Sequence, residues 1–495
     1  MRQTARHPAL VWGVLLAGPC LGLLGSGAGC RRTPEQRLVD ELAGSLPREA
    51  APSGIVRTFD LVATPARVPV GDDRMLDVWA YNGTVPGPTF RVRLGETLRV
   101  RFKNELPQPT TVHWHGVRVP NAMDGVPGLT QPPVPPGGTF TYEFAPKDAG
   151  TFWFHPHVRS SEQVERGLYG VLIVEDREPP PYTRDVVWVL DDWLLGEDGQ
   201  IFPEFNTPHD LAHDGRWGNL VTVNGRTDTI LPARSGERLR LRLVNSANGR
   251  VFAPELVPAD ARVEAQVIAV DGNYLRAPVP LAGFEIAPGN RLDLDVRVQA
   301  GASVRIALVD RFYARAPNHL ADIEVDGVTE RPAAPFASPA HAVVPRWREA
   351  LSWVPSQEFR LDARRGGRYG IEWTINDQAF EGHEVDATGG APAGHVHASS
   401  HSPAMTLRKG RFHKLRFANL SYRLHPIHTH GMFFRLLARN GQPVDEPFFR
   451  DTVLIHARET VDLGVVPLDE GDWMLHCHIL EHAEAGMMTT LRVSP

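Results

Sequence analysis

The sequence predicts an all-β protein of three consecutive Greek-key β-sandwich domains, and three observations lead there. First, 45 Gly and 43 Pro among 495 residues punctuate the chain too often for long helices and favour many short strands. That length also exceeds what a single hydrophobic core supports. Second, one motif occurs three times: RLGETLRVRFKN from Arg93 to Asn104, RSGERLRLRLVN from Arg234 to Asn245, and RKGRFHKLRFAN from Arg408 to Asn419. Each copy reads as a Gly-bearing turn entering an alternating strand, with polar and apolar side chains on opposite faces. Third, a second echo follows each copy: PGGTFTY at Pro136–Tyr142, PGNRLDL at Pro288–Leu294 and RETVDL at Arg458–Leu463. Repetition on this scale means repeated domains.

In chain order, residues 1–30 read as an export signal, with Arg2 and Arg6 ahead of an apolar run from Leu10 to Leu24 and small residues up to Cys30. The run is too short and too Gly-rich for a membrane span. Small residues before Cys30 resemble a bacterial lipoprotein cleavage site; an ordinary secretory cut near the same place is the alternative. The protein is thus expected to be exported, either periplasmic or anchored to the cell envelope through a lipidated Cys30. Residues 31–51, polar and Pro/Ala-rich, are expected to form a flexible tether. The domains are placed at 52–177, 178–330 and 331–495. The third opens on a linker, Arg331 to Pro345, and carries an irregular His-rich loop, 381–403, with His383, His395, His397 and His401. A net charge of −6 supplies no basic field, so nucleic acid is excluded as a partner; a monomer is expected.

The chemistry concentrates near the C-terminus, in LHCHILEHAEAGM from Leu475 to Met487. A thiolate, an imidazole and a later thioether are the ligands of a blue-copper electron-transfer site, which needs one more imidazole. His425 is the candidate. Side chains alternate on an extended strand, so His476 and His478 point away from Cys477 and toward a different site. Only Cys20, Cys30 and Cys477 occur, which leaves no intramolecular disulfide framework once the signal is removed. Four His-x-His pairs stand out: His113/His115, His155/His157, His428/His430 and His476/His478. With 21 His in the chain, chance would give roughly one such pair. Two pairs lie in the first domain and two in the third, so eight imidazoles could meet only if those domains abut and the middle one bridges them. That middle domain has no such pair and is expected to bind no copper; its His209 and His213 are expected to be surface loop residues.

These motifs resemble those of the multicopper oxidases, the laccases and bacterial metal-oxidising relatives, in family order and over essentially the whole mature chain. The resemblance implies three cupredoxin-like domains and four copper ions. His425, Cys477, His482 and Met487 match the type 1 copper, and His113 and His428 match the type 2 copper. The type 3 pair corresponds to His115, His155 and His478 on one ion and to His157, His430 and His476 on the other. It implies one-electron oxidation of phenols, aryl amines or low-valent metal ions such as cuprous and ferrous ion, coupled to four-electron reduction of dioxygen to water. Asp124 matches an acidic residue near the type 2 copper that orients water or relays protons, although an Asp-Gly turn needs no catalytic role.

Two departures qualify the match. Ala483 stands where bacterial relatives often carry an acidic proton donor, so that donor is either lost or taken over by Glu484 or Glu481. Ser421-Tyr422-Arg423-Leu424 replaces the acidic and Met residues that precede His425 in copper-efflux oxidases, and the His-rich loop is the candidate substitute for a cuprous entry site. Copper nitrite reduction is the runner-up enzyme, but it leaves most of the histidines unexplained. A copper-binding or scaffold protein without turnover is the alternative outside catalysis, and it would be expected to have lost ligands.

Overall fold

A computed structural model describes residues 32–43, 50–71, 74–257, 263–299, 303–312, 316–329, 334–339, 344–380, 403–446 and 448–495. The export signal with Cys20 and Cys30, and the His-rich loop apart from Pro403, lie outside the described residues. Six sheets stack as three sandwiches, each pairing a sheet of four or six strands with one of four or five. No described helix is long and apolar enough to cross a membrane.

The two sequence echoes turn out to be neighbouring strands in every sandwich. Thr97–Asn104 runs antiparallel to Thr139–Phe144, Arg238–Asn245 to Arg291–Val298, and His413–Asn419 to Thr460–Val465. On its other edge each repeat strand pairs in parallel with Val56–Val70, Arg184–Trp193 or Gln357–Arg365. The motif glycines take up positive φ in the turns, +92° at Gly95, +85° at Gly236 and +69° at Gly410, which an L side chain would resist. The Asn that closes each motif is buried and does the same work three times. Asn104 donates to the Gln108 and Val134 carbonyls and accepts from the Leu106 amide. Asn245 bonds Arg250, Ile286 and Ala247 in the same way, and Asn419 bonds Arg423, His456 and Ser421. One side chain thereby satisfies three backbone groups where strand becomes loop.

The largest buried apolar cluster is continuous from the first sandwich into the third, running from Trp114 and Phe154 to Cys477 and Met487, while the middle sandwich keeps a core of its own around Leu241 and Leu294. The first and third sandwiches therefore abut.

One expectation is corrected. The segment taken as a flexible tether contains a helix, α1 (Pro34–Ala43), docked on the third sandwich. The Thr33 hydroxyl accepts from the Gln36 amide, and Pro34 follows it with a preset φ. Leu38 and Leu42, four apart on one helical face, are buried, and Trp347 donates its indole N–H to the Leu38 carbonyl at 2.8 Å. Two apolar residues at that spacing outweigh the polar composition of the stretch. The exposed Arg37–Glu349 pair adds little.

Candidate copper centres

The strand His425–Thr429 runs antiparallel to Gly471–Cys477, with Ile427 opposite Cys477 and His428 opposite His476. A short helix, α4 (Leu480–Glu484), then carries His482 back over the strand end, and the chain returns so that the Met487 amide meets the His482 carbonyl. The Cys477 amide in turn donates to the Met487 carbonyl at 3.0 Å, and Met487 is fully buried beside Cys477 in the shared core. Cys477 Sγ lies 3.7 Å from His425 Nδ1 and 3.8 Å from His482 Nδ1, and the two nitrogens are 3.3 Å apart.

The partners of the outer nitrogens decide what this trio can hold. His482 Nε2 faces the His213 carbonyl at 2.7 Å, so it must be the N–H donor. His425 Nε2 faces Ser421 Oγ at 2.9 Å, and that hydroxyl already donates to Asn419, so His425 Nε2 also carries the proton. Both Nδ1 atoms are then lone pairs pointing at each other and at the sulfur, an arrangement that repels unless a cation sits between them. Burial lowers the His425 imidazole well below its ordinary value and His482 to about 3, which keeps both neutral as ligands must be. It pushes the Cys477 thiol up, so a thiolate here depends on a cation. Trp373 covers the trio, its ring 4.1 Å from that of His482.

The second cluster forms where the strand His113–His115 pairs with Gly150–His155, placing His113 opposite His155. Eight imidazoles from the first and third sandwiches converge, buried except for a half-buried His157. Three groups of three emerge, His115/His155/His478, His157/His430/His476 and His113/His115/His428, each offering ligand atoms within 4.8 Å of one another. Here too the tautomers point inward. His113 Nδ1 donates to the Asp124 carbonyl and His428 Nδ1 to the Asp451 carbonyl, leaving each Nε2 buried without a partner. His155 and His476 donate Nδ1–H to the Pro156 and Cys477 carbonyls. His430 Nδ1 donates to Asp124 Oδ2 at 2.8 Å, so His430 Nε2 and His476 Nε2, 3.1 Å apart, are again facing lone pairs. Both nitrogens of His478 are buried and unpaired. Orphaned acceptors in this number are costly without a metal, and neutral imidazole suits copper.

Asp124 sits where its carboxylate and its carbonyl each hold one of these rings. Gly125 (φ +81°) makes that possible, because a Cβ there would run into the Val112 carbonyl. Glu484 is placed elsewhere: it faces Arg159, Arg368 and Glu162, and burial pushes it up to about 7. Among the described residues it makes none of the imidazole contacts that Asp124 makes. Glu481 is fully buried, accepts from Asn248 at 2.7 Å, and is likewise pushed up to about 7 by burial. His209 and His213, expected as loop residues, stand exposed on and just after a short helix, α3 (Pro208–Ala212).

Sequence reasoning missed the residues beneath the cluster. Asp451 Oδ1 lies 3.2 Å from His115 Nε2 and accepts from Thr452 Oγ1. Arg291 of the middle sandwich grips the same carboxylate at 2.9 and 2.7 Å. Burial opposes the Asp451 charge, but the Arg291 guanidinium more than offsets it and holds the carboxyl well below the usual range. Asp451 belongs to no local motif, and Arg291 lies inside the second echo, PGNRLDL, where nothing local marks it as a partner of the histidines.

The multicopper oxidase family pattern matches residues 64–179 and again 374–495. A multicopper oxidase of Mycobacterium tuberculosis is 29% identical over 89% of this chain and 87% of its own, and a copper resistance protein A homologue of Pseudomonas syringae is 26% identical over 94% and 96%. Among solved structures, a multi-copper oxidase from Pseudomonas thermotolerans is 35% identical, covers 90% of this chain and 100% of its own, and superposes with a TM-score of 0.76. With a sandwich fold shared over that length and two clusters of inward-facing imidazole lone pairs, the chain belongs to the multicopper oxidase family: it is a copper-binding oxidoreductase that oxidises a reducing substrate with dioxygen as acceptor.

Proposed function

We propose that this oxidase carries one type 1 copper on His425, Cys477 and His482 with Met487 as axial thioether, one type 2 copper on His113 and His428, and a type 3 pair. The pair divides between His115/His155/His478 and His157/His430/His476. The observation that supports this reading most is the strand end itself, where Cys477 faces the first trio while His476 and His478 face the second cluster. Two peptide bonds thus join the two sites.

Copper, when bound, supplies one-electron chemistry at the trio and four-electron reduction of dioxygen to water at the imidazole cluster. The chain supplies everything around it. Trp373 and the shared core exclude water from Cys477. Asp124 fixes the His430 and His113 tautomers and is the acidic group placed to hand protons into the cluster. Asp451, held ionised by Arg291, faces His115 Nε2 and fixes that ring with Nε2 as the donor. Outer-sphere transfer asks little of the donor's shape, so phenols, aryl amines and low-valent metal ions all qualify as reductants. We further read residues 1–30 as an export signal, cut either at a lipidated Cys30 or at an ordinary secretory site near it, and the mature protein as a monomer.

Metal analysis and dioxygen uptake test the assignment together. Wild type should hold about four copper ions, and Cys477→Ser about three, with loss of the copper–thiolate colour and of uptake with cuprous ion, ferrous ion or a phenol. A Cys477→Ser protein that kept both its colour and its turnover would defeat the electron route.

A further inference from the structure

The trio around Cys477 is closed to solvent by a piece of the middle sandwich. α3 and the turn after it lie over His482. The His213 carbonyl takes the His482 Nε2–H at 2.7 Å, Leu211 takes the Trp373 indole N–H at 2.9 Å, and Asp214 Oδ1 takes the Leu424 amide at 2.9 Å. Gly215 packs so closely on α4 that a Cβ would meet Ile479 and Glu481 at 2.6 and 2.7 Å. On this side, an electron reaching His482 has a direct hydrogen-bonded route through the backbone of His213.

The outer surface of the same segment presents two imidazoles four residues apart. His209 and His213 are both exposed, and their rings are 4.2 Å apart between centroids at 27°. The His213 amide donates to the His209 carbonyl at 3.1 Å, so the two residues sit one turn apart and their rings stack side by side. The tautomer of His213 is set, because its Nδ1 faces the His209 carbonyl at 2.9 Å and must donate. Its Nε2 is therefore left as a lone pair, and among the described residues the His209 ring makes no hydrogen bond at all.

We propose that His209 and His213 form the docking site for a metal-ion electron donor, a cuprous ion in the first instance, directly outside the electron-accepting trio. The proposal rests on the oxidase reading above and names the place where one class of donor binds. Two exposed imidazoles suit a substrate better than a resident ion: they hold a soft first-row ion loosely enough for it to leave after oxidation, whereas the buried trios offer three donors each. A docked cuprous ion gives up one electron and departs as cupric ion. The electron passes by way of the His213 carbonyl and His482 to the trio, and four such events with four protons convert one dioxygen to two waters.

The test uses the fully copper-loaded protein and silver(I), a redox-inert stand-in for cuprous ion. Silver binding is counted by titration calorimetry for wild type and for the double variant His209→Ala/His213→Ala, and dioxygen uptake is then measured with cuprous ion and with a phenol. The variant is expected to bind one silver ion fewer, and its kcat/KM for cuprous ion relative to phenol to fall about tenfold or more. Its copper–thiolate spectrum, set by groups the substitutions leave in place, reports that the trio is intact. An unchanged silver count overturns the site. So does a cuprous-to-phenol ratio within about twofold of wild type, since donors would then be docking elsewhere. If wild type takes up no dioxygen with either donor, it is the oxidase reading that falls, and the silver count tells the two failures apart because it does not depend on turnover.

Discussion

Asp124 shows how much one side chain can decide. Its carboxylate accepts from His430 Nδ1 at 2.8 Å while its carbonyl accepts from His113 Nδ1 at 2.8 Å, so both rings turn their lone pairs inward. Asp124→Asn keeps the shape and removes the charge, and its amide can set a donor against the His430 N–H. Copper content or dioxygen uptake should fall about 10–100-fold, with the copper–thiolate colour retained because the Cys477 trio does not touch Asp124. A variant with wild-type turnover would reduce Asp124 to a turn residue. A second residue-scale pair is visible in stability. His456 Nε2 lies 2.9 Å from Glu285 Oε2, joining the third sandwich to the middle one, and that hydrogen bond raises the imidazole above its ordinary value. A raised folded-state value means the contribution is fully present below about pH 6.5 and is lost as pH rises through the higher folded value. Both side chains are over a third exposed or close to it, so the effect should stay below about 1 kcal/mol. Thermal unfolding of Glu285→Gln should therefore differ from wild type at pH 5.5 and converge with it at pH 8.5; a constant gap across that range would rule the pair out.

At the scale of elements, the repeat works because each copy carries its own punctuation. A positive-φ glycine opens the strand and a buried Asn closes it by bonding three backbone groups. Asn104→Ala strands one amide and two carbonyls, a loss on the order of 3 kcal/mol. Denaturant unfolding should register it as an earlier transition at unchanged slope, and a shift of a few tenths would mean that water replaces the side chain. These local rules made the three sandwiches legible, since period-2 alternation and turn residues act within a dozen positions. α1 was not legible for the opposite reason. Its composition is that of a linker, and Leu38 and Leu42 gain a surface to bury against only from the folded core that includes Trp347, some three hundred residues away.

Across the whole molecule, the middle sandwich proves to be more than a spacer. Arg291 reaches from it to Asp451 beneath His115 and His428, and Gly116 is required at the crossing because a Cβ would run into both Arg291 and Asp451. Arg291→Leu would leave a buried carboxylate without its counter-charge, a loss of about 3–5 kcal/mol, whereas Arg291→Lys keeps the charge and loses the two-pronged grip. In both, total copper should fall faster than the copper–thiolate absorbance, most steeply in Arg291→Leu. Equal loss of the two would mean general unfolding instead of a failure of the imidazole cluster.

What the sequence determined by itself was whatever travels in short windows: the strand repeat, the His-x-His pairs and the Cys477 tripeptide, whose alternation alone directs neighbouring side chains to different sites. The groups that make those histidines ligands were decided only in three dimensions. Ring tautomers depend on the carbonyls of Asp124, Asp451 and His213 and on the hydroxyl of Ser421, and main-chain acceptors leave no trace in residue identity. Asp451 and Arg291 are 160 residues apart and read as an ordinary acid and an ordinary base until folding removes the water between them. The exposed pair on and just after α3 acquires its meaning in the same way, from lying over His482 and not from the two letters that spell it.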